Sequence, residues 1–147
     1  MIKFNKILLV ILVLTVIGLT AAIVYVSVTP RAEDKFTEFY LLNKDGKAAD
    51  YPNDIAAGQP ATVTVGLINH EGTAAKYRIQ IKGNSSIIDS VETGTVENSQ
   101  KWERTVDIKM NTAGDNQTTE FFLFLNDEAI PHIKNPLVLK TNIIISK

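Results

Sequence analysis

Ala74-Ala-Lys-Tyr-Arg-Ile-Gln-Ile-Lys82 carries the cleanest two-residue period in the chain. Tyr77, Ile79 and Ile81 fall on one side, and Lys76, Arg78, Gln80 and Lys82 on the other. Successive side chains of a strand point to opposite faces, so the pattern predicts a strand with one face in a core and one in water. The run before it, Ala61–Asn69, repeats the pattern, with Val63, Val65 and Leu67 inward against Thr62 and Thr64. Asn69-His-Glu-Gly72 between the two is turn chemistry.

The same reading extends in both directions. Phe36–Leu42 is a strand closed by Asn43-Lys-Asp-Gly46, where glycine accepts a positive φ without steric cost. Residues 47–60 contain Pro52, Asn53, Asp54, Gly58 and Pro60 and read as a loop. Ile87–Val91 is a short strand after Gly83-Asn-Ser-Ser, and Trp102–Met110 alternates with Trp102, Arg104, Val106, Ile108 and Met110 on one face. Gln117–Leu125 and Leu137–Ile145 complete the set. Phe121-Phe-Leu-Phe-Leu125 lacks alternation, which predicts burial on both faces. The fold class expected is therefore all-β: a seven-stranded antiparallel sandwich, immunoglobulin- or fibronectin-like, over residues 36–147. The chain has no cysteine, so the Cys–Trp–Cys signature of antibody domains is absent and the assignment rests on strand spacing. Thiolate metal sites and cysteine nucleophiles are excluded on the same count.

The first thirty residues have another composition. Eighteen of the twenty-two residues from Ile7 to Val28 are apolar and none is charged. A hydrocarbon core of about 30 Å needs roughly 20 such residues in a helix. Thr15, Thr20 and Ser27 are the polar side chains, and each hydroxyl can bond back to a helical carbonyl. The competing reading is a cleaved signal peptide, whose apolar stretch is normally about 7–15 residues long. Here the run is longer, and Ala21-Ala22 leads into Ile-Val-Tyr-Val, so an uncleaved anchor is expected.

Lys3 and Lys6 precede the helix with no acid between them, whereas Arg31 and Lys35 follow it interleaved with Glu33 and Asp34. The positive-inside tendency then places residues 1–6 in the cytoplasm, 7–28 across the cell membrane and 31–147 outside, with 29–35 as a short linker. The six residues from Pro30 to Lys35, between the helix and the first strand, reach about 20 Å when extended, which keeps the domain close to the lipid surface. Gly18 and Ala22 share a helix face at the small-xxx-small spacing, a candidate helix-pairing face, although small residues are frequent in any membrane helix.

Residues 31–147 carry 13 Lys and Arg against 16 Asp and Glu, which argues against nucleic acid as a partner. His70-Glu71 is a conceivable proton-transfer pair or pair of metal ligands, but adjacent side chains on a tight turn diverge, and turn architecture is the simpler reading. His132, beside Pro131, lies in another loop, with nothing to bring the two histidines together. Asp45, Asp50 and Asp54 are oxygen donors in an irregular loop, yet their spacing matches no calcium loop. Asn84-Ser-Ser86 and Asn116-Gln-Thr118 are acceptor sequons, so Asn84 and Asn116 are candidate glycosylation sites. A nucleophile elbow, a phosphate-cradling glycine loop and a zinc helix are all missing from the sequence. The expectation is a protein without catalytic residues, metal or cofactor. Recognition is expected in loops 43–60 and 69–73, with Asp50, Tyr51, Asn69, His70 and Glu71 as candidate residues.

Four segments in order, Thr37-Glu-Phe-Tyr-Leu-Leu42, Gly46-Lys-Ala-Ala-Asp-Tyr-Pro52, Val65-Gly-Leu-Ile-Asn-His-Glu-Gly72 and Glu120-Phe-Phe-Leu-Phe-Leu125, resemble the domain-of-unknown-function family 1616 of chiefly archaeal membrane proteins. Asp-Tyr-Pro and Asn-His-Glu are the most specific parts, because strand periodicity dictates neither. The resemblance implies a membrane-attached, outward-facing β-sandwich and carries no catalytic residues with it. Members of that family often have several membrane helices before this domain; this chain has one. The function expected is a binding or structural role at the cell envelope toward a surface protein or glycan. The alternative is an accessory subunit of a membrane enzyme or transporter.

Overall fold

The computed structural model describes residues 2–29 and 34–145. Residues 30–33 of the expected linker, residue 1 of the cytoplasmic segment and residues 146–147 of the domain lie outside the described residues. The chain divides into two compact units between residues 33 and 34.

The first unit is one helix, α1 (Ile2–Val28). Within Asn5–Val28, an 18-residue window reaches a mean hydropathy of 3.1 and is wholly exposed within the protein. Thr15, Thr20 and Ser27 each donate their hydroxyl to the carbonyl four residues back, at 2.8 Å. Those bonds satisfy the hydroxyl donors within the helix, as a helix in an apolar medium requires. The helix is long and apolar enough to cross a membrane, and a signal sequence would have the same properties.

Among its described residues the second unit contains eight strands: β1 (Phe36–Leu42), β2 (Asp54–Ala56), β3 (Pro60–His70), β4 (Ala75–Gly83), β5 (Ser86–Val96), β6 (Lys101–Lys109), β7 (Gly114–Leu125) and β8 (Leu137–Ile144). They form two sheets, β1-β3-β6 and β2-β8-β7-β4-β5. The expected inward residues of β3 and β4 are buried, with Val63, Leu67 and Ile79 at 0 % exposure. With Phe121 and Leu123 of β7, Val106 and Ile108 of β6 and Leu139 and Ile143 of β8, they fill the space between the sheets.

Two expectations need correction. The sandwich has eight strands rather than seven, and it is not wholly antiparallel, because β2 runs parallel to β8. β2 is three residues long inside a segment dense in Pro, Asn, Asp and Gly, so local chemistry hides it. It forms because β8 offers partners: Asn142 N–H donates to Asn53 O at 2.6 Å, and Ala57 N–H to Ile144 O at 2.8 Å. β5 is also longer than the expected 87–91. It lies at the edge of its sheet and is exposed along most of its length, so its buried positions are too few to show a period. Asn84 and Ser85, at φ 47° and 69°, make the two-residue turn that starts it.

Phe121–Leu125 is covered on both faces, by different means. Phe121 and Leu123 point into the core. Phe124 lies under the Arg78 guanidinium at 4.1 Å from the ring centre, and Phe122 under the Lys82 ammonium at 4.6 Å. The outward cations of β4 thus cover the outer aromatics of its neighbour β7 through cation–π contact.

On the outer face of the other sheet, Tyr40, Gly66 and Glu103 lie side by side on β1, β3 and β6. The Tyr40 ring crosses Gly66 so closely that a Cβ there would overlap it. Its hydroxyl donates to Glu103 Oε1 at 2.9 Å, and Lys101 Nζ meets the same oxygen at 2.9 Å. Burial, then the hydrogen bond and the charge of Glu103, push the Tyr40 phenol up to about 12. Lys101 and Tyr40 together hold the Glu103 carboxyl below its usual range. Gly66 is thus a strand glycine retained for the close passage of a ring.

Candidate functional site

The register Phe36↔His70 and Leu42↔Thr64 puts the two expected recognition loops at opposite ends of the sandwich. Asn69, His70 and Glu71 stand at the end where β1 begins; Asp50 and Tyr51 stand at the end where it finishes. They do not form one surface.

At the first end, Asn69 is fully buried. Its side-chain amide donates to Thr73 O and Val96 O, both at 2.8 Å, and its Oδ1 accepts the Glu71 N–H at 2.9 Å. Asn69 therefore shapes the β3–β4 turn and ties it to the end of β5. His70 and Glu71 then diverge. His70 turns outward, with Nε2 at 2.9 Å from Glu38 Oε1 and its ring stacked on Phe36 at 4.6 Å.

Glu71 turns the other way. Its Oε1 accepts the Thr37 hydroxyl at 2.7 Å and lies 2.8 Å from His132 Nε2. Thr37 Oγ1 is in turn 3.0 Å from the Tyr77 hydroxyl, which donates once Thr37 donates to Glu71. Burial raises the Tyr77 phenol; the Thr37 bond lowers it and the Glu71 charge raises it further. The chain Tyr77–Thr37–Glu71–His132 links β4, β1, the β3–β4 turn and the β7–β8 loop. The Glu71 and His132 side chains are 12 % and 22 % exposed. The two histidines engage different carboxylates, so their ring nitrogens serve separate pairs. Thr37 is 8 % exposed, and its hydroxyl is held on Glu71. This end ties its polar groups to each other.

The opposite end is organised by Asn43, 3 % exposed. Its amide donates to Ala49 O at 2.8 Å, and its Oδ1 accepts the N–H of Asp45 and of Lys47, both at 2.9 Å. The Tyr51 hydroxyl donates to Leu41 O at 2.7 Å. Asp54 Oδ1 accepts the Asn142 amide at 2.9 Å. Between these anchors Asp50 sits at φ 53°, in the left-handed region that a non-glycine residue adopts at a cost. Two clefts open beside the Asp50-Tyr-Pro52 ridge, about 520 Å³ and 470 Å³ in volume, and Asp50 lines both. Asp45, Asp50 and Asp54 are part of no group of three or more His, Cys, Asp or Glu arranged to hold a metal ion among the described residues.

The sequon asparagines are neighbours. The Asn84 amide donates to Gln117 Oε1 at 2.7 Å, and Asn84 N–H donates to Thr118 O at 3.0 Å, so one sequon is laced to the other. Both asparagines are exposed. On the helix, Gly18 has nothing within 4 Å of its Cβ position.

His132 as the partner of Glu71 carried no signal in the sequence, since the pair is 61 residues apart. The organising role of Asn43 had one, its place at the head of Asn-Lys-Asp-Gly, which reads only as a turn.

The fold has solved relatives at low identity. The CARDB domain of the PF1109 protein from Pyrococcus furiosus, crystallised in complex with di-metal ions, superposes with a TM-score of 0.55 at 9 % identity over 80 % of this chain and 100 % of that one. The solution structure of that domain gives 0.53 at 10 % identity over 76 % and 99 %. Part of a β-glucosidase from Listeria innocua, in complex with glucose, matches at 0.51 and 10 % identity, over 75 % of this chain and 16 % of the enzyme. At such identities these likenesses concern the fold alone. No curated protein matches the sequence. The model of the domain of unknown function DUF1616 matches residues 30–138, most of the chain, and the protein belongs to that family.

Proposed function

We propose that this protein is a single-pass membrane protein whose β-sandwich lies outside the cell and has a non-catalytic binding or structural role at the envelope. The observation that carries the reading is the wholly exposed apolar surface of Asn5–Val28, attached to a sandwich that buries its own core. Such a helix is stable in lipid and unstable in water. Lys3 and Lys6 favour the orientation with the N-terminus in the cytoplasm. The partner is an envelope protein or glycan, met through the cleft-bearing loop 43–60.

The absence of native cysteine makes the topology easy to test. A membrane-impermeant maleimide applied to intact cells is expected to label a Lys44→Cys variant and to leave Lys3→Cys unlabelled; the reverse pattern refutes the orientation. The intact mass of the membrane-extracted protein distinguishes an anchor from a cleaved signal sequence. Crosslinking in host membranes, read by mass spectrometry, is expected to join loop 43–60 to one abundant surface component.

A second reading, an accessory subunit of a membrane enzyme or transporter, is favoured by the open surface at Gly18, four residues from Ala22. Crosslinks confined to the helix and to one integral-membrane complex would select it.

A further inference from the structure

The ridge Asp50-Tyr-Pro52 gives the expected recognition end a specific chemistry, whose biological use rests on the proposed envelope-binding role. In the first cleft Asp50 stands with Asn53 and Lys140, beside Tyr51 and Val138. In the second it stands with Gln59 and Lys44, against Pro52 and Pro60. The first cleft therefore combines one carboxylate, one planar amide and one ammonium with apolar side chains, and the second combines two carboxylates, Asp50 and Asp54, with the amides of Asn43 and Gln59 and one ammonium.

Three ligand classes fit poorly. An anion would sit beside Asp50 in either cleft, and the second cleft adds Asp54. A strongly cationic ligand is matched only in the second cleft, where Asp50 and Asp54 outnumber Lys44, and not in the first, where Lys140 offsets Asp50. A peptide added as a strand needs a long free edge, but the strand bordering the second cleft, β2, is only three residues long. A neutral polyhydroxylated ligand fits both. Its hydroxyls can donate to the carboxylate and exchange bonds with the amides, while its C–H faces pack on the tyrosine ring and the prolines.

We propose that the Asp50 ridge binds a neutral oligosaccharide, which straddles it so that the carboxylate accepts hydroxyl hydrogen bonds from sugar units in both clefts. The loop is built for this in advance. Asn43 holds its backbone from within, Tyr51 is pinned to Leu41, and Asp50, in a left-handed conformation, lines both clefts. A preformed loop orders little on binding, which favours affinity.

The test uses the full-length protein in lipid nanodiscs, applied to an array of neutral, sulfated and sialylated oligosaccharides, with calorimetric titration of the best neutral probe. Asp50→Asn and Asp50→Gly both tolerate a positive φ, so the backbone survives while the carboxylate is lost. Each is expected to weaken binding about tenfold or more, the loss of a hydrogen bond to a charged group, without lowering Tm. Lys134→Ala, in the β7–β8 loop and lining neither cleft, is expected to bind like the parent.

The proposal is overturned if no neutral oligosaccharide binds at about 10 mM. It is also overturned if only the charged probes bind, or if the Asp50 variants bind unchanged. Its failure is separable from that of the envelope role. Crosslinks from loop 43–60 to a surface polypeptide, with no sugar binding, would leave the envelope role standing and remove the sugar. Sugar binding by a domain that maleimide labelling finds in the cytoplasm would do the opposite.

Discussion

The two ends of the sandwich are each built around a buried asparagine, yet they differ in what surrounds it. Asn69 and Asn43 both use amide and carbonyl to shape the turn that follows a strand. Around Asn69, the neighbouring polar groups bond within the fold: the side chains of His70 with Glu38 and of Glu71 with Thr37 and His132, and the Gly72 N–H with Asn98 Oδ1. Around Asn43, the loop keeps Asp50 and Lys44 at the walls of open clefts. A polar group already hydrogen-bonded inside the fold has little left to offer a ligand, whereas one held rigidly at a cleft wall has its full capacity. His70-Glu71, the more chemically suggestive pair in the sequence, is thus the part of the structure that closes an end. The plainer Asp50-Tyr51 is the part left open.

Substitutions can break this contrast. The largest effect is expected from Asn69→Ala, which removes the partner of the buried Val96 carbonyl and of the part-buried Thr73 carbonyl and Glu71 N–H; a loss of about 3 kcal/mol in urea unfolding is predicted. A loss under about 1 kcal/mol would show that water replaces the amide and that this end is not sealed. Next comes the Glu71–His132 pair. Glu71→Gln and His132→Ala should each cost about 1–2 kcal/mol, and the double variant should cost less than their sum because the two side chains share one contact. Strict additivity would mean that the pair does not hold the β7–β8 loop.

Thr119 supplies an internal reference within the core. Its hydroxyl is fully buried with no hydrogen-bond partner among the described residues. Thr119→Val keeps the shape and removes the unpaired group, so a gain of about 1 kcal/mol is expected by the same unfolding assay. Tyr40 gives a pH signature in the middle of the other sheet. Its folded value is raised from 10.0 to about 12, so the stability it contributes is complete below pH 10 and is lost as pH rises toward 12. Tyr40→Phe should flatten that alkaline limb; an unchanged limb would place its origin elsewhere. The smallest effect is expected at Asp50. Asp50→Gly relieves a positive φ and breaks no hydrogen bond within the described residues, so stability should stay within about 0.5 kcal/mol of the parent. A large loss there would put Asp50 among the structural residues, alongside Asn69.

Much of the architecture was legible because it rests on local physics. The alternation in Ala74–Lys82 marks β4 through a property of single strands, the opposite pointing of neighbouring side chains. The uncharged run Ile7–Val28 marks the helix through length and hydropathy alone. The divergence of His70 from Glu71 follows from turn geometry within four residues. β5 was only half visible, since an exposed edge imposes no burial pattern.

What the sequence determined by itself, then, is the order and type of most elements, the apolar N-terminal helix and the turns, because each depends on contacts among residues a few positions apart. The tertiary structure decided the rest. β2 exists because β8 lies beside it, Phe122 and Phe124 are covered because β4 brings Lys82 and Arg78 over them, and Glu71 meets His132 across 61 residues. The separation of the two loops to opposite ends follows from the register of β1 on β3. Each of these is a pairing between distant segments, and its free energy appears only when the sheets have formed and excluded water between them.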